Sequence, residues 1–200
     1  GHQRTIEAHR YMERAVDYVD RLIKEHNLQS DYWFPGFLRV ATTPGYVRRI
    51  QHDLEILTSM GISGIEWIEA DAVRAQVDSP RFLGGWWEAR CGLLNPAKQV
   101  RELKRIALKA GALVFEETPV TEIRRDRMFL LKTPGGEIKA EKIAFATNAY
   151  SHLIPQLRRK QVPAFTYMVV SEPLTPAQLE SIGWKNRQGI EDARNLVHYF

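Results

Sequence analysis

The chain of 200 residues is 44% hydrophobic and 26% charged, which is typical of a folded globular protein and excludes a disordered one. Its net charge of +4 comes from short basic clusters interspersed with acidic residues, so we expect a solvated surface and no nucleic-acid partner. A single cysteine, Cys91, excludes an internal disulfide framework, and the six histidines lack zinc-site spacing. The apolar runs are too short to cross a bilayer, and we expect a cytoplasmic protein without a transmembrane segment.

The first part of the sequence predicts amphipathic helices around a short strand. Apolar residues at three- and four-residue steps predict a packing helix over residues 6–23. Residues 37–40 predict a strand. Thr43 and Pro44 then predict the start of a second helix, because threonine caps a first turn and proline fits within it. Gly61 is suited to end that helix.

Residues 64–91 predict short irregular strands and one helical turn. Within them, Gly84-Gly85 precedes the pair Trp86-Trp87. A strand places adjacent side chains on opposite faces. We therefore expect one tryptophan in the core, and the other either in the core as well or lining a pocket or an interface.

A third helix is predicted to begin at Asn95-Pro96 and to end at Gly111, with a strand over residues 112–115 directly after it. A succession of helix, glycine and strand is how an α/β unit returns its chain to a parallel sheet. The apolar face of this helix comprises Val100, Leu103, Ile106, Ala107 and Ala110.

An antiparallel meander is predicted next. Residues 120–123 and 128–133 have the composition of strands, and the turn sequence at 134–136 folds the second strand back onto residues 137–140. Residues 142–146 form a continuous apolar run, which predicts a strand buried on both faces. The meander is therefore expected to end in a buried strand.

Thr147 and Asn148 follow that apolar run with small polar side chains. They would lie at the carboxyl end of the strand, which is the edge where open α/β sheets bind ligands. Further along, residues 165–171 predict a long strand, Thr175-Pro176 predicts a capped short helix, and residues 195–200 predict another strand.

Sequence motifs for phosphate binding and hydrolysis are missing. The sequence has neither G-x-G-x-x-G nor G-x-x-x-x-G-K-[ST], so this chain lacks the glycine turn that brings a backbone close to a pyrophosphate. The segment from Gly61 to Ile65 matches a nucleophile elbow only superficially, because the closing glycine is absent. Hydrolase chemistry is therefore not expected.

The order of the segments carries more information than any single motif. A helix opened by Asn95-Pro96 is followed by GALVFEETPVTEI, by the TPGGEIKAEKI hairpin and by ATNAYS. In this order the chain resembles FAD-dependent oxidoreductases of the D-amino-acid-oxidase-like superfamily, nearest to the branch with gamma-glutamylputrescine oxidoreductase and more distantly to sarcosine and glycine oxidases. GFLRVATTPG, SEPLTPAQLESIGW and GIEDARNLVHYF extend the resemblance over nearly the whole chain.

The resemblance implies contacts to FAD. Val120 would offer its backbone N–H and C=O to the adenine edge, as a rigid pair of one donor and one acceptor. Ala146, Thr147 and Asn148 would pass close to the pyrophosphate and ribose. Taken alone, Val120 is more simply a core strand residue and Thr147-Asn148 a strand-to-helix cap, but the segment order favours the FAD interpretation. Cys91 is not where covalently flavinylated members carry their linking cysteine.

The resemblance also implies a substrate-binding sheet over the flavin, with residues 163–172 and 195–200 as two of its strands. His198 and Tyr199 would then lie near the amine site. Alternation along a strand allows at most one of the two side chains to point into that site. An ordinary half-buried strand is the alternative for this segment.

The predicted fold class is α/β (α+β), an incomplete FAD-binding α/β domain with a β-meander plus part of an antiparallel substrate-binding sheet with helices. Residues 1–30 and 92–155 are assigned to the FAD-binding domain, and residues 31–91 and 156–200 to the substrate-binding domain. The sequence is interpreted as the middle of a longer protein, from which the N-terminal diphosphate-binding turn and a C-terminal segment are missing.

The expected function is that of the parent protein, a FAD-dependent oxidoreductase that oxidises an amine or amino acid by hydride transfer to flavin. This chain alone is expected to be inactive and not to retain FAD. No residue is assigned as the catalytic base, and no metal is expected. The alternative is a non-catalytic interaction fragment that self-associates through an exposed sheet edge or pairs with complementing flanking segments.

Overall fold

The computed structural model describes residues 1–155, 157–195 and 198–199. The chain divides into two compact units, a first unit of Gly1–Ala112 with Pro173–Phe200 and a second unit of Leu113–Glu172. This division into units does not test the predicted domains. The assignment of residues 1–30 and 92–155 to FAD binding, and of residues 31–91 and 156–200 to substrate binding, stays a prediction.

The helices of the described residues are α1 (His2–His26), α2 (Pro44–Ser59), α3 (Ala70–Arg74), α4 (Pro96–Lys109) and α5 (Pro176–Ile182), with a 3₁₀ helix at Asn148–Leu153. The strands are β1 (Phe37–Val40), β2 (Ile65–Glu69), β3 (Gly84–Glu88), β4 (Glu122–Arg125), β5 (Phe129–Thr133), β6 (Gly136–Ala140) and β7 (Gly189–Asp192).

The predicted helix starts are confirmed by side-chain caps. Thr43 Oγ1 accepts a hydrogen bond from the backbone N–H of Tyr46 at 3.3 Å, and Asn95 Oδ1 accepts one from Lys98 N at 3.1 Å. Thr175 begins α5 in a capping box with the residue three positions on. In each case a short polar side chain satisfies one of the backbone donors that a helix start leaves unpaired.

The first unit is built on a four-stranded sheet in the order β2-β3-β1-β7. β3 runs antiparallel to both β1 and β2, whereas β1 and β7 are parallel. In this register Arg39 lies opposite Trp86 on one side and Glu191 on the other, and Trp67 lies opposite Trp86. Directly opposed residues share a face of a sheet, so these four side chains form a row across all four strands.

The sheet packs on both faces, and Trp86 and Trp87 divide between them as the sequence predicts. One core cluster comprises Leu38, Val40, Val73, Val77, Phe82 and Ile190, and Trp87 packs against it. The other comprises Ala41, Ile50, Leu54 and Ala193, and Trp86 packs against it. Both tryptophans are half-buried and join their clusters, so this one strand contributes to the packing of both layers.

The second unit contains the predicted meander. β4, β5 and β6 form an antiparallel three-stranded sheet in chain order, with the β5–β6 turn at Pro134-Gly135. Gly136 follows this turn with a φ of 142°, a conformation that L side chains rarely adopt. The meander is confirmed, although β4 begins two residues later than predicted.

Three predicted strands, at residues 112–115, 142–146 and 165–171, are wrong, since none of them pairs with another described strand. Their side chains are largely exposed, with Tyr167 at 92% and Val169 at 95%. The physical reason is that a strand is stabilised by its neighbours. A β-branched and aromatic composition shows only that a segment would fit into a sheet. No described segment provides a partner strand for these residues.

The C-terminal prediction was incomplete. The sequence pattern did not identify β7, and of the strand predicted at residues 195–200, positions 196, 197 and 200 lie outside the described residues. Tyr199 forms an isolated antiparallel bridge with Glu191. Among the described residues, the C-terminal segment contacts β7 through this bridge and through the hydrogen bonds between His198 and Asp192.

Candidate functional site

Val120 lies in the second unit, directly before β4. The next residue, Thr121, donates its backbone N–H to Lys132 O at 2.8 Å. Neither backbone group of Val120 is hydrogen-bonded to any other residue that the structure describes, and Val120 is 45% exposed. Val120 is therefore not the core residue that its apolar side chain alone would predict, and its donor and acceptor are available to a ligand.

Thr147 and Asn148 lie at the start of the 3₁₀ helix. Thr147 O accepts a hydrogen bond from Tyr150 N at 3.0 Å, and Thr147 Oγ1 lies 2.7 Å from the hydroxyl of the buried Ser151. Asn148 has a positive φ of 45°, which asparagine tolerates better than most residues. Thr147 occupies the N-cap position, but its side chain makes no hydrogen bond to the helix backbone and no described strand directly precedes it, so the predicted strand-to-helix cap is found only in part. A ligand-facing role is compatible with this turn, because Ala146 and Asn148 remain exposed.

A shallow cavity of about 230 Å³ adjoins this turn. Asn148 and Ala149 line one part of it, and residues 161–164 line the rest. No hydrogen bond within the described chain joins Val120 to the residues from Ala146 to Asn148. The structure thus places Val120 and the residues from Ala146 to Asn148 in the same unit, with no hydrogen bond between the two groups.

These observations fit the adenosine part of FAD. Val120 presents one unpaired backbone donor and one unpaired acceptor, which is what an adenine edge requires. Ala146 and Thr147 are small enough for a ribose or phosphate to approach. The diphosphate itself requires a glycine turn or a helix N-terminus, and the sequence contains no G-x-G-x-x-G.

A row of charged and aromatic side chains crosses one face of the first-unit sheet. Arg39 Nε lies 3.1 Å from Glu191 Oε1, and their side chains are 25% and 16% exposed. Trp86 and Trp67 continue the row towards β2. The row therefore combines an ion pair that is largely withdrawn from water with two indole rings.

Tyr199 extends this row beyond β7. Its bridge to Glu191 is antiparallel and direct, so the two side chains share a face. Tyr199 is 69% exposed. Of the two predicted substrate residues, Tyr199 is the one on the face of Arg39 and Trp86.

His198 belongs to the opposite side, beside Asp192. Asp192 is fully buried, and its Oδ1 accepts hydrogen bonds from Arg194 N at 3.1 Å and His198 N at 3.3 Å. Its Oδ2 pairs with Arg194 Nε at 2.8 Å and with His198 Nδ1 at 3.4 Å. Alternation therefore separates His198 from Tyr199, as the sequence predicts.

Two glutamates on the face of Arg39 have perturbed acidity. Burial raises the pKa of Glu191, although the charge of Arg39 acts in the other direction. Burial also raises the pKa of Glu88, which lies two positions beyond Trp86 on β3 and is half-buried. Both carboxyl groups therefore hold their protons more firmly than exposed glutamates do.

Sequence analysis missed Arg39, Glu191 and Asp192 as candidate site residues. For Asp192 a signal was present, because an aspartate two positions before a polar residue can accept its backbone N–H in an Asx turn. For the pair of Arg39 and Glu191 no local signal exists, since the two residues come from distant parts of the chain.

Within residues 1–155, 157–195 and 198–199, no group of histidine, cysteine, aspartate and glutamate side chains could hold a metal ion. None of the helices that the structure describes is sufficiently long and apolar to span a membrane.

The chain is similar to curated oxidoreductases along most of its length. It is 28% identical over 187 residues to gamma-glutamylputrescine oxidoreductase of Escherichia coli (strain K12), covering 92% of this chain and 43% of that protein. It is 22% identical over 193 residues to the probable oxidoreductase OrdL of Haemophilus influenzae, covering 93% and 44%. The chain thus spans less than half the length of these relatives.

Solved structures show the same fold. L-proline dehydrogenase from P. horikoshii matches with a TM-score of 0.70 at 18% identity, over 91% of this chain and 49% of that one. Glycine oxidase from Geobacillus kaustophilus matches with a TM-score of 0.61 at 20% identity, over 70% and 39%. The predicted mixed α/β fold class is confirmed. The model of the DAO family, described as FAD dependent oxidoreductase, matches residues 1–200, and the chain belongs to that family.

Proposed function

We propose that the protein containing this chain oxidises an amine or amino acid with FAD, and that the chain supplies both adenosine contacts and part of the substrate site. The class of cofactor follows from the family. The observation that supports a cofactor role for this chain is Val120, a half-exposed residue whose backbone donor and acceptor have no partner among the described residues.

In this proposal Val120 pairs with the adenine edge, while Ala146, Thr147 and Asn148 border the ribose and pyrophosphate. Bound FAD supplies the acceptor for a hydride from the carbon beside the amine nitrogen. Residues of the first-unit sheet orient that carbon and exclude water. Tyr199 is proposed to face the substrate, and His198 is proposed to support the sheet edge through Asp192.

The unpaired segments of the second unit support a role as part of a larger sheet. No backbone hydrogen bond between described residues involves residues 113–115, 142–146 or 165–171, and their exposed apolar side chains would be stabilised by burial against partner strands. We propose that strands from the rest of the gene product pair with them. The chain alone is accordingly expected to be inactive and to bind FAD poorly.

The test is to express the complete coding sequence that contains this chain. The purified protein should be yellow, and the flavin absorbance should bleach anaerobically when a suitable amine or amino acid is added. A folded product that contains no flavin would refute the proposal.

Val120 itself can be tested with two matched variants. Val120→Pro removes the backbone donor, whereas Val120→Ala keeps it. Because one hydrogen bond to a ligand is worth about 1 kcal/mol, Val120→Pro should weaken FAD binding roughly 5- to 10-fold, and Val120→Ala should bind nearly as the parent does. Equal affinities in the two variants would remove Val120 from the FAD site.

Self-association through an exposed sheet edge remains a second candidate for the chain in isolation. β2 is an edge strand of the first-unit sheet, and an edge strand presents backbone groups that another strand can pair with. Sedimentation of the chain at several concentrations tests this, since a strictly monomeric chain would exclude it.

A further inference from the structure

We propose that α1 is a dimer interface, at which the α1 helices of two copies of the protein pack antiparallel as a short coiled coil. The helix is long enough for this, since its 25 residues span about 38 Å at roughly 1.5 Å per residue. The inference depends on an exposed stripe of side chains whose sizes and flanking charges fit a second copy of the same stripe.

The rest of the first unit covers little of α1. Of the 25 residues of this helix, all of which the structure describes, only Ile23 is buried. A folded helix in water is normally stabilised by packing of an apolar face against a partner. α1 therefore has surface available for a further partner.

The outer stripe of α1 is the surface that this partner would contact. Its five residues follow one another at alternating steps of three and four, which is the spacing of a coiled-coil seam; they are Ala8, Tyr11, Ala15, Tyr18 and Leu22. Tyr11 and Tyr18 are 65% and 55% exposed. The buried Ile23 belongs to another face, because successive residues of an α-helix are rotated by about 100°.

The sizes of the side chains in the outer stripe favour an antiparallel pair. Alanine and tyrosine alternate from Ala8 to Tyr18. When two copies of α1 cross at the level of Glu13, Tyr11 of one copy lies opposite Ala15 of the other. Tyr18 lies opposite Ala8 in the same way, so each large ring meets a small side chain. A parallel pair in register would set tyrosine against tyrosine and alanine against alanine, which alternately crowds the seam and leaves space in it.

The charged flank of the outer stripe favours the same arrangement. Glu7, Arg14 and Arg21 follow this flank at seven-residue spacing. In the antiparallel pair the charged flanks of the two copies face each other, so that Glu7 of each copy lies beside Arg21 of the other and Arg14 lies beside its own copy. Two-fold symmetry duplicates the contact between opposite charges, whereas the contact between like charges occurs once.

Two cation–π contacts hold the arginines of this flank beside the outer stripe. The guanidinium carbon of Arg14 lies 5.7 Å from the centroid of the Tyr11 ring, and that of Arg21 lies 5.7 Å from the centroid of the Tyr18 ring. Contacts of this kind restrict both side chains. The charges that a second copy would meet are therefore already positioned in one copy.

The opposite flank of the outer stripe is uncharged and comprises Thr5, Met12 and Val19. Met12 is 60% exposed and would pack against its own copy in the antiparallel pair. In a parallel pair this flank would face the charged flank of the other copy, and Met12 would meet Glu7. The antiparallel arrangement is therefore the one that places apolar against apolar and charge against charge.

The experiment measures the oligomeric state of the complete gene product by sedimentation over a wide range of concentrations. The parent should show an equilibrium between monomer and dimer. Tyr11→Glu should raise the Kd of the dimer roughly 100-fold, because it places an unpaired charge in the seam. Asp71→Arg, at a side chain that is 96% exposed on α3, is the control and should leave the Kd unchanged. Circular dichroism shows whether each variant is folded.

An exchange of charges tests the antiparallel register. Glu7→Arg and Arg21→Glu should each raise the Kd roughly 10-fold, and the double variant should return it close to the parent value, because the pairs are then restored with reversed signs. A fault in the folding of α1 would not be repaired in this way. Arg14→Gln should lower the Kd about 2- to 3-fold, because it removes the contact between like charges.

Three results would overturn the inference. A complete gene product that stays monomeric at every concentration would show that the outer stripe does not bind a second copy. A dimer that persists unchanged in Tyr11→Glu would place self-association elsewhere, such as at the β2 edge. A double variant of Glu7 and Arg21 that is no better than the single ones would exclude the antiparallel register.

Discussion

Asp192 and His198 each donate a backbone hydrogen bond to the other. Asp192 Oδ1 accepts from His198 N at 3.3 Å, and Asp192 N donates to His198 O at 3.1 Å. Because the same Oδ1 also accepts from Arg194 N, one buried carboxylate fixes the chain where it leaves β7.

We expect Asp192→Ala to lower the free energy of unfolding by about 3 kcal/mol, since two backbone donors lose their acceptor and a charged pair is broken. Asp192→Asn keeps an acceptor oxygen and should lose less. Urea denaturation measures both. Asp71, whose side chain is 96% exposed, is the matched control, and Asp71→Ala should change stability by less than about 0.5 kcal/mol.

A comparison of substitutions at Gly84 and Gly136 distinguishes the cost of a close packing contact from the cost of backbone strain. Their φ angles are 138° and 142°, but a Cβ on Gly84 would lie 2.2 Å from Trp67 Cζ2, whereas one on Gly136 would meet nothing within 4 Å. Gly136→Ala should therefore cost about 1–2 kcal/mol from strain alone. Gly84→Ala should cost about 1–3 kcal/mol more, because the indole must move. Thermal unfolding of both variants checks the difference, and equal costs would show that Trp67 moves aside freely.

Tyr32 should make stability depend on pH in the alkaline range. Burial, together with its hydrogen bond to Asp20, raises the pKa of Tyr32 from 10.0 to about 12. Because the pKa of Tyr32 is higher in the folded state than in the unfolded chain, the protonated hydroxyl stabilises the fold. This stabilisation is fully present below pH 10 and is lost as the pH rises from 10 through 12. Tyr32→Phe should show a smaller alkaline decline while losing about 1 kcal/mol at neutral pH.

The measurement is the free energy of unfolding in urea across that pH range. Tyr18→Phe, at an exposed residue of α1, serves as the control and should keep the parent's alkaline decline. An identical decline in Tyr32→Phe would show that other groups cause it.

Asn95 should control the stability of α4 locally. Its side chain caps the helix, and no residue of α4 is buried, so packing cannot offset a lost cap. Asn95→Ala should cost about 1 kcal/mol, and Asn95→Ser, which keeps an acceptor oxygen, should cost only a few tenths. Hydrogen exchange at the first backbone amides of α4 measures this, and unchanged protection in Asn95→Ala would contradict it.

Helix boundaries could be predicted from the sequence because their causes are local. Thr43, Asn95 and Thr175 each bond to the backbone three residues on, so a four-residue window contains the whole interaction. The turn at residues 134–136 was predictable for the same reason, because proline and glycine restrict the backbone where they stand.

Strands and site residues depend on residues elsewhere. Residues 165–171 have a strand's composition but no described partner, so composition alone gave a wrong prediction. The site face was not predictable in detail either. Arg39, Trp86 and Glu191 share a face only because three strands adopt a particular register, and register is fixed by packing of the whole sheet.

The parallel pairing of β1 with β7 has a consequence for how the chain folds as it is made. Phe37 pairs with Gly189, so the paired positions lie 152 residues apart along the chain. At a synthesis rate of about 5–20 residues per second, the ribosome reaches β7 roughly 8–30 s after β1. Once β3 has been made, β1 has β3 on one side and an open edge on the other until β7 follows, so the nascent chain is exposed to wrong pairing at that edge.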